Sequence, residues 1–502
     1  MAETSSNKNF TDPIVILDPI KDAPGIVVKL KSESVSNKEN EEGISNPNAI
    51  VDSLKVDGKK YPLVLINNRN IDYNDILIYK LSFDDFLPTL FLKIKDNNHY
   101  ETNLNTTGMS GYVRTCIVPE ISNIYKNIAM QFKILSVNIN ENENTVSYDC
   151  VYDTEKFRQT NTGLIYLKDK KANTYEMLNK IAELSGLGFA ATKNTEDIND
   201  RIYRNIFTQR FDSYIKEQLK FAGADEESVL DAWIDPYNYI VLVNVSWVLS
   251  QDVKTDDLEI VCDTGIPIYN DGTGKQEPYS APRMLTNFQP LDLKSNLIID
   301  KYNIEVNNDA TLKGTLQRIY SIDFVEKETK MNILDIQTQE DSVDGEYLEE
   351  YNTGASRPIP KFNFNEDYNL DVQKVIRKHF FNKKRQNILN VTLENINLGL
   401  QRGTLVYISI WEDDPQNKQI MIMQESNLNG NETIKPDKIY NNAVEAEQGL
   451  ISNMKLSDIY YIDGIFFEYN NEMRTIKQIL KLIKKGKISG YDNLHTFPRL
   501  NK

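Results

Sequence analysis

The sheet character of this sequence is clearest in residues 76–94, which read ILIYKLSFDDFLPTLFLKI. The runs Ile76–Leu81 and Leu90–Ile94 are rich in the branched and aromatic side chains that strands favour. Leu87-Pro88-Thr89 interrupts the pattern between them, and Asp96-Asn97-Asn98 supplies a turn after the second run. We therefore predict a pair of strands here.

Similar runs extend the sheet prediction in both directions. Val137–Ile139 and Thr145–Tyr152 flank a polar loop at residues 140–144 and predict a hairpin. Arg474–Lys485 fits a helix or a final strand, and we favour the strand. Residues 263–285 carry several Gly and Pro and predict a loop. The other predicted strands are Tyr61–Ile66, Leu297–Val306, Thr311–Val325, Ile388–Leu393, Thr404–Trp411, Ile420–Met423 and Ile459–Tyr469.

Residues 160–250 have a different, partly helical pattern. Asn173 with Glu176 three residues later matches a capping box, apolar residues follow at helical spacing, and Gly186 ends the helix. We predict a second helix from Thr208 to Ala222. The strands Val229–Ile234 and Tyr239–Val245 then flank an Asp-Pro-Tyr-Asn turn. Together these elements predict an α+β module inserted between β-rich regions.

The charge distribution disfavours a nucleic-acid binder. The 502-residue chain has 57 Lys and Arg against 73 Asp and Glu, a net charge of −16, which repels phosphate backbones. Residues 374–385 contain a cluster of basic residues with no acidic residue among them. Such a cluster is explained either by a solvated face or by a docking patch for an acidic partner. We favour it as an inter-subunit or partner-facing surface, formed by Lys374, Arg377, Lys378, Lys383, Lys384 and Arg385.

Two polar regions lie outside the predicted strands. Residues 1–60 are rich in Asn, Ser, Lys and Glu and predict a flexible arm with one apolar run at Gly25–Leu30. Glu326–Glu350 is strongly acidic and, with Thr353–Pro360, predicts a linker.

Catalytic and metal-binding patterns are missing from the sequence. His99, His379 and His495 have no other His or Cys at ligand spacing. Residues 271–275 read DGTGK but lack the full phosphate-loop spacing, and there is no nucleophile-elbow or zinc-protease motif. We predict no catalytic residue, no metal and no cofactor, and hence a structural protein rather than an enzyme.

The cysteines and the hydropathy pattern suggest synthesis in a reducing compartment. Cys116, Cys150 and Cys262 each lie in or beside an apolar run, so we expect buried thiols rather than disulfides. No stretch approaches the roughly 20 apolar residues of a membrane span, and the polar N-terminus predicts no secretory signal.

Three stretches together carry a resemblance. They are residues 76–94, the helix TYEMLNKIAELSGLGF (174–189) with the hairpin WIDPYNYIVLVNV (233–245), and NLGLQRGTLVYI (397–408) with IYYIDGIFFEY (459–469). In this order and at this chain length they resemble the central baseplate hub protein of contractile-tailed bacteriophages, over roughly residues 60–485. Gly403, inside the third stretch, is expected in a turn before Thr404–Trp411 that requires a positive φ, and a contact with an adjoining ring is the functional alternative.

The resemblance implies a β-rich, α+β fold with two tail-tube-like β-barrel domains and an inserted α+β module. The implied regions are an arm (1–60), barrel 1 (61–160), the module (161–260), a β-rich region with the acidic linker (261–374), barrel 2 (375–485) and a tail (486–502). It also implies a homotrimer that joins the tail tube to the central spike and adapts threefold to sixfold symmetry. The implied partners are the spike, tail-tube or tube-initiator proteins and the tape-measure protein, in a virion baseplate assembled in the host cytoplasm.

Other functions remain open from the sequence. Within a phage tail, the chain could be a different tail-tip, adaptor or wedge protein. A cell-wall-degrading tail enzyme is disfavoured by the missing acid/base constellation, and an extracellular adhesin by the missing signal.

Overall fold

The structure is a computed structural model that describes most of the strand-forming parts of the chain. The described residues are 26–30, 61–99, 102, 111–117, 127–153, 160–164, 171–192, 195–223, 228–251, 268–270, 276–278, 283–287, 298–306, 316–323, 328–335, 356–361, 373–374, 377–378, 380–381, 384–413, 450–452, 456–472 and 474–485.

Strands dominate these residues, as the composition predicts. Those of the first half are β1 (Ile26–Leu30), β2 (Leu63–Ile66), β3 (Arg69–Asn70), β4 (Ile76–Ser82), β5 (Thr89–Lys95), β6 (Tyr112–Ile117), β7 (Ile128–Asn140), β8 (Thr145–Tyr152), β9 (Thr160–Leu164), β10 (Lys171–Ala172), β11 (Gly188–Thr192), β12 (Ile202–Tyr203), β13 (Asn205–Arg210), β14 (Leu230–Ile234) and β15 (Tyr239–Asn244). The helices are α1 (Thr174–Ser185), α2 (Phe211–Leu219) and α3 (Val245–Ser250).

In the second half of the chain, every regular element whose bounds the structure describes is a strand. They are β16 (Ile268–Asn270), β17 (Gln276–Pro278), β18 (Arg283–Thr286), β19 (Ile299–Val306), β20 (Leu316–Asp323), β21 (Glu328–Asp335), β22 (Ser356–Lys361), β23 (Asn387–Leu393), β24 (Leu405–Ser409), β25 (Trp411–Asp413), β26 (Leu450–Ser452), β27 (Asp458–Asn470) and β28 (Thr475–Lys484).

One 13-stranded sheet, almost wholly antiparallel and curled like half of a barrel, forms the framework. Its order is β19-β23-β28-β27-β4-β5-β8-β7-β6-β2-β3, and β24 branches from β27 with β18 beside it. Alternating side chains fill a continuous core on one face, as in β5, where Leu90, Leu92 and Ile94 are buried. The predicted β-rich fold is confirmed.

The strand order of this sheet occurs twice. The first strand set (β2 and β4–β8) has the order β4-β5-β8-β7-β6-β2, and the second strand set (β18, β19, β23, β24, β27 and β28) has the order β19-β23-β28-β27-β24-β18. Corresponding strands also follow one another in the same chain order. The outermost pair differs, because β2 and β6 are antiparallel whereas β18 and β24 are parallel.

The correspondence extends to irregularities in the strands. The register of β4 against β5 shifts between Ile76 and Ile78, and that of β19 against β23 shifts between Ile299 and Lys301. Both β7 and β27 are 13 residues long and carry a bulge opposite their hairpin partners.

The hairpin turns of the two sets also match. One is closed by Asn140 opposite Thr145 and the other by Asn470 opposite Thr475. A residue with positive φ precedes each threonine, Asn144 at 49° and Arg474 at 51°. The two hairpins therefore span the same number of residues and share a positive φ at the position before the threonine.

The module is formed by α1–α3 and the sheet β1-β11-β15-β14, and all of these elements except β1 lie between the two strand sets along the chain. Asn173 and Glu176 form the predicted capping box of α1, and Gly186 ends it in the left-handed region at φ 72. The apolar face of α1 packs on β11 and β15, where Phe189 and Leu242 are buried. The local helix signals were therefore read correctly.

Several local predictions were wrong. The second helix begins at Phe211 rather than Thr208, because Asn205–Arg210 pairs with β9 as a strand. The predicted arm contains β1, which adds to the module sheet beside β11. The predicted loop at 263–285 contains β16, β17 and part of β18. Two strands of a three-stranded sheet, β21 and β22, lie in the predicted linker.

Other predictions fall outside the described residues or stay predictions. Ile420–Met423 lies outside them, as do Cys262, His379 and His495. The favoured strand at Arg474–Lys485 is confirmed as β28. The domain boundaries stay predictions.

Candidate functional site at the junction of the strand sets

The two strand sets meet along one edge of β27. Residues 458–461 of β27 pair with β24 of the same set, and residues 466–470 pair with β4 of the first set. β28 occupies the opposite edge of β27. The change of neighbour coincides with the bulge at Asp463-Gly464, since a bulge locally disrupts the ladder and bends the strand. We call this region the junction.

Two chain segments close the gap in the strand pairing at the bulge. The Phe83 amide donates to the Ile465 carbonyl at 2.8 Å, and the Gly403 amide donates to the Ile462 carbonyl at 2.9 Å. The Ile462 amide donates in turn to the Thr404 carbonyl at 3.0 Å. The backbone groups of Ile462 and Ile465, which flank the bulge, therefore form hydrogen bonds with segments next to both strand sets.

Asp463, at the bulge, is a buried anion that basic residues compensate. Arg385 donates to both of its carboxylate oxygens, at 2.7 Å from Nη2 and 2.9 Å from Nε, and Lys481 Nζ lies 3.6 Å away. Burial by itself would raise the pKa of the Asp463 carboxyl, but Arg385, and less strongly Arg402 and Lys481, outweigh it and hold the pKa below 3.8. The carboxylate is thus ionised at neutral pH.

Arg402 ties the junction to the module. Its guanidinium donates to the Asp85 carbonyl at 2.9 Å and to Asp231 Oδ2 at 3.3 Å, and it stacks 4.5 Å above the Trp233 ring. Arg377 Nη2 donates to the other oxygen of Asp231 at 2.9 Å. Because Asp231 and Trp233 belong to β14, one arginine side chain holds the first strand set, the second strand set and the module together.

Gly403 has the positive φ that its position in the sequence predicts, at 88°. A Cβ atom there would lie 2.7 Å from Trp233 Cη2 and 3.2 Å from Val243 Cγ2. Only glycine therefore allows the second strand set to approach the module this closely.

The described members of the predicted basic cluster divide into a partly buried and an exposed group. Arg377 and Arg385 make the ion pairs with Asp231 and Asp463, and Lys384 Nζ donates to the Lys485 carbonyl at 3.1 Å. Lys374 and Lys378 are exposed, and Lys383 lies outside the described residues. The partner-facing role of the cluster stays a prediction, and charge reversal at Lys374 and Lys378 tests it without breaking the ion pairs.

A polar cleft opens beside these residues. It has a volume of about 310 Å³ and lies between the segment after β4, the end of α2 and the arginines of the junction. Lys216 at its rim pairs with Asp85 at the end of β4. Most charged side chains around the cleft form ion pairs with one another, and these ion pairs connect different elements of the fold.

The described residues also bear on metal binding, thiol chemistry and membrane insertion. Within the described parts of the chain, no three His, Cys, Asp or Glu side chains lie close enough to hold a metal ion. Cys116 and Cys150 are buried free thiols whose pKa burial raises to about 12. No described helix combines the length and apolar character needed to cross a membrane.

Exposed apolar side chains lie at two sheet edges. Ile304 and Val306 on β19 keep 44% and 60% of their surface exposed, and Leu135 on β7 keeps 65%. In the described structure, β19 has a neighbour on one side only, and β6 follows β7 no further than Lys133. Edges of this kind are templates for further strand pairing.

Comparison with known proteins finds similarity at the level of structure. A tail protein from Neisseria meningitidis MC58 matches with TM-score 0.40 and 10% identity, covering 84% of this chain and 96% of that protein. The 43 kDa tail protein of prophage MuSo2 from Shewanella oneidensis matches with TM-score 0.41 and 8% identity, covering 85% and 97%. No protein-family model and no curated protein matches the sequence.

A third match comes from a secretion system. It is a component of the type VI secretion system of E. coli, described as similar in structure to bacteriophage T4 tail proteins gp27 and gp5. The TM-score is 0.33 with 8% identity, covering 84% of this chain and 75% of that protein. Two of these three proteins are thus tail proteins, and the third is a secretion-system component described as similar to phage tail proteins.

Sequence reasoning missed the residues that build the junction. Arg402, Asp463 and Gly464 lie inside the stretches quoted for the resemblance, but no role was predicted for them. A signal was present, since Arg402-Gly403 and Asp463-Gly464 each place a charge beside a glycine within an apolar strand pattern. A charge in such a pattern indicates a buried ion pair at an irregular strand position.

Proposed function

We propose that this chain is a structural subunit of a phage tail baseplate, a hub that joins the tail tube to the central spike. The repeated six-strand order carries the proposal. Two copies of one strand set, joined edge to edge through β4 and β27, give each chain two similar wall segments. The bulge that each 13-residue strand carries and the equal spans of the two hairpins support treating the sets as two equivalent halves.

Two wall segments in each chain would allow a threefold ring to match a sixfold tube. A closed ring of three chains presents six wall segments, so it fits a threefold spike on one side and a sixfold tube on the other. Ring closure would also cover the exposed sheet edges, which otherwise invite aggregation.

A rigid junction suits this role. Arg402 and Arg377 share Asp231, and Arg385 pairs with Asp463, so one cluster of largely buried ion pairs at the bulge of β27 fixes the angle between the segments. A ring closes only if that angle is well defined in every subunit. Such ion pairs specify geometry more than they add stability.

Native mass spectrometry of the purified full chain tests the proposal. We expect the main species to have the mass of three chains, and to keep that mass on dilution. A stable monomer or a dimer across the tested concentrations would contradict a threefold hub. Gel filtration with light scattering at the same concentrations serves as the independent check on mass.

A further inference from the structure

The junction within one chain is a template for a contact between chains. In the junction, the terminal strand of the first set, β4, pairs with the part of β27 beyond its bulge. By the correspondence of strand orders, the equivalent of β4 is β19, and the equivalent of β27 is β7. These are the two strands whose edges lack a neighbour among the described residues and whose exposed apolar side chains are described above.

The strand-pair shifts and the hairpin turns set the proposed register, because the bulges of β27 and β7 lie at different distances from those turns. The shifts at Ile76 and Ile299 align Ile78–Ser82 of β4 with Lys301–Glu305 of β19. The turns at Asn470 and Asn140 align residues 466–470 of β27 with residues 136–140 of β7. In the junction, Leu81 pairs with Phe467 and Tyr79 pairs with Tyr469. The two alignments together therefore predict one corresponding pairing between β19 and β7.

We propose that β19 of one chain pairs antiparallel with residues 136–140 of β7 in a second copy, with Ile304 opposite Val137 and Tyr302 opposite Ile139. The proposal rests on the proposed function, because it identifies the surface through which the ring closes. The contact is heterologous, so each chain uses both surfaces and neither remains exposed in a closed ring.

The side chains suit this register. Leu81, Tyr79, Phe467 and Tyr469 are all at most 2% exposed in the junction. Their counterparts are also apolar or aromatic, yet Ile304 is 44% exposed, and Val137, Ile139 and Tyr302 are only partly buried. Pairing β19 with β7 would bury these four side chains as the junction buries their equivalents.

The polar positions agree as well. Lys80 and Glu468 face each other in the junction and form a salt bridge of 3.1 Å. Their counterparts are Asn303 and Asn138, both exposed. Uncharged amides at these positions place no like charges opposite each other.

The hydrogen-bond pattern identifies the best pair for cross-linking. The Phe83 amide bonds the Ile465 carbonyl, and the Asn471 amide bonds the Leu77 carbonyl. Hydrogen-bonded and non-hydrogen-bonded pairs alternate along an antiparallel ladder, so Lys80 and Glu468 form a non-hydrogen-bonded pair. In pairs of this kind the Cα atoms are closest, about 4.5 Å apart. Asn303 and Asn138 inherit this geometry, which permits a disulfide.

The test is disulfide cross-linking of the full-length double variant Asn138→Cys/Asn303→Cys under mild oxidation. We expect covalent dimers and trimers on a non-reducing gel, with the ladder ending at three chains. The matched control is Asn138→Cys/Glu305→Cys, which is two residues out of register and holds the Cα atoms about 8 Å apart, so we expect at least a tenfold lower yield. Each single variant can give dimers at most.

The outcomes separate this pairing from the proposed function. Three-chain particles that give no cross-link, or equal cross-linking in the out-of-register control, overturn the pairing and leave the hub intact. A ladder that continues past three chains supports the pairing and contradicts the closed threefold ring. Monomers without cross-links contradict both.

Discussion

Replacing Gly403 by alanine is expected to lower the free energy of unfolding by about 3 kcal/mol. The left-handed backbone costs a residue with a Cβ about 1–2 kcal/mol, and crowding a packed core adds about 1–3 kcal/mol. Both terms apply, because φ is 88° and the new methyl group would meet Trp233 at 2.7 Å. Chemical denaturation of the purified variant, followed by tryptophan fluorescence, measures the change.

Gly399→Ala is the matched control for this change. Gly399 lies four residues upstream in the same segment and is not among the residues with positive φ. We expect its effect to stay below about 1 kcal/mol, since alanine there meets no backbone strain. Equal effects at the two glycines would contradict the account of the close approach to Trp233.

Replacing Asp463 by asparagine is expected to lower the free energy of unfolding by about 2–3 kcal/mol at neutral pH. Breaking a fully buried ion pair costs about 3–5 kcal/mol, and the value here is smaller because Arg385 keeps 34% of its side chain exposed. The amide keeps the size of the carboxylate but leaves Arg385 without a compensating charge. Denaturant titration at pH 7 measures the difference.

The same ion pair predicts a pH dependence with a definite sign. The folded-state pKa of Asp463 lies below 3.8, so the unfolded chain takes up its proton first as the pH falls. The contribution is therefore complete above the ordinary pKa and is lost as the pH drops through the folded-state pKa. The difference between wild type and Asp463→Asn should shrink as the pH falls from the ordinary pKa of an aspartate through the lower folded-state pKa.

Glu468→Gln provides the matched control on the same strand. Glu468 pairs with Lys80 across the same joint between β27 and β4, but both side chains are more than a third exposed. An exposed pair contributes about 0.2–1 kcal/mol, so the change should be small at every pH. A loss as large as that of Asp463→Asn would show that burial is not the cause.

Local signals in the sequence were enough to predict some elements. The capping box at Asn173 and the glycine at Gly186 specify both ends of α1 through contacts within a few residues. The strands β4, β5, β8 and β28 follow from their apolar patterns for the same reason. The turn at Gly403 was predicted because glycine marks a backbone requirement directly.

Elements that depend on distant partners were missed. β1 is a short apolar run that becomes a strand because β11, more than 150 residues later, supplies its hydrogen bonds. Thr208 was placed in a helix because the pairing of β13 with β9 has no local signature. Asp463 and Arg385 are likewise brought together only by the fold.

The repeat in strand order was invisible for a related reason. Only 18 residues separate Ile76 from Ile94, whereas 94 separate their counterparts Ile299 and Leu393, because β20–β22 are inserted between β19 and β23. Because of the insertion, corresponding strands are not a constant number of residues apart, so no repeat period is visible in the sequence. Corresponding side chains also differ, because many positions require only an apolar group. Strand pairing preserves the correspondence that the sequence has lost.

Electron cryomicroscopy of the purified full chain tests the central claim most directly. We predict a closed particle with a threefold axis, in which six similar strand-set segments surround a channel and alternate between first and second sets. A particle with another number of chains, or one in which the two sets lie at unlike distances from the axis, would contradict the hub.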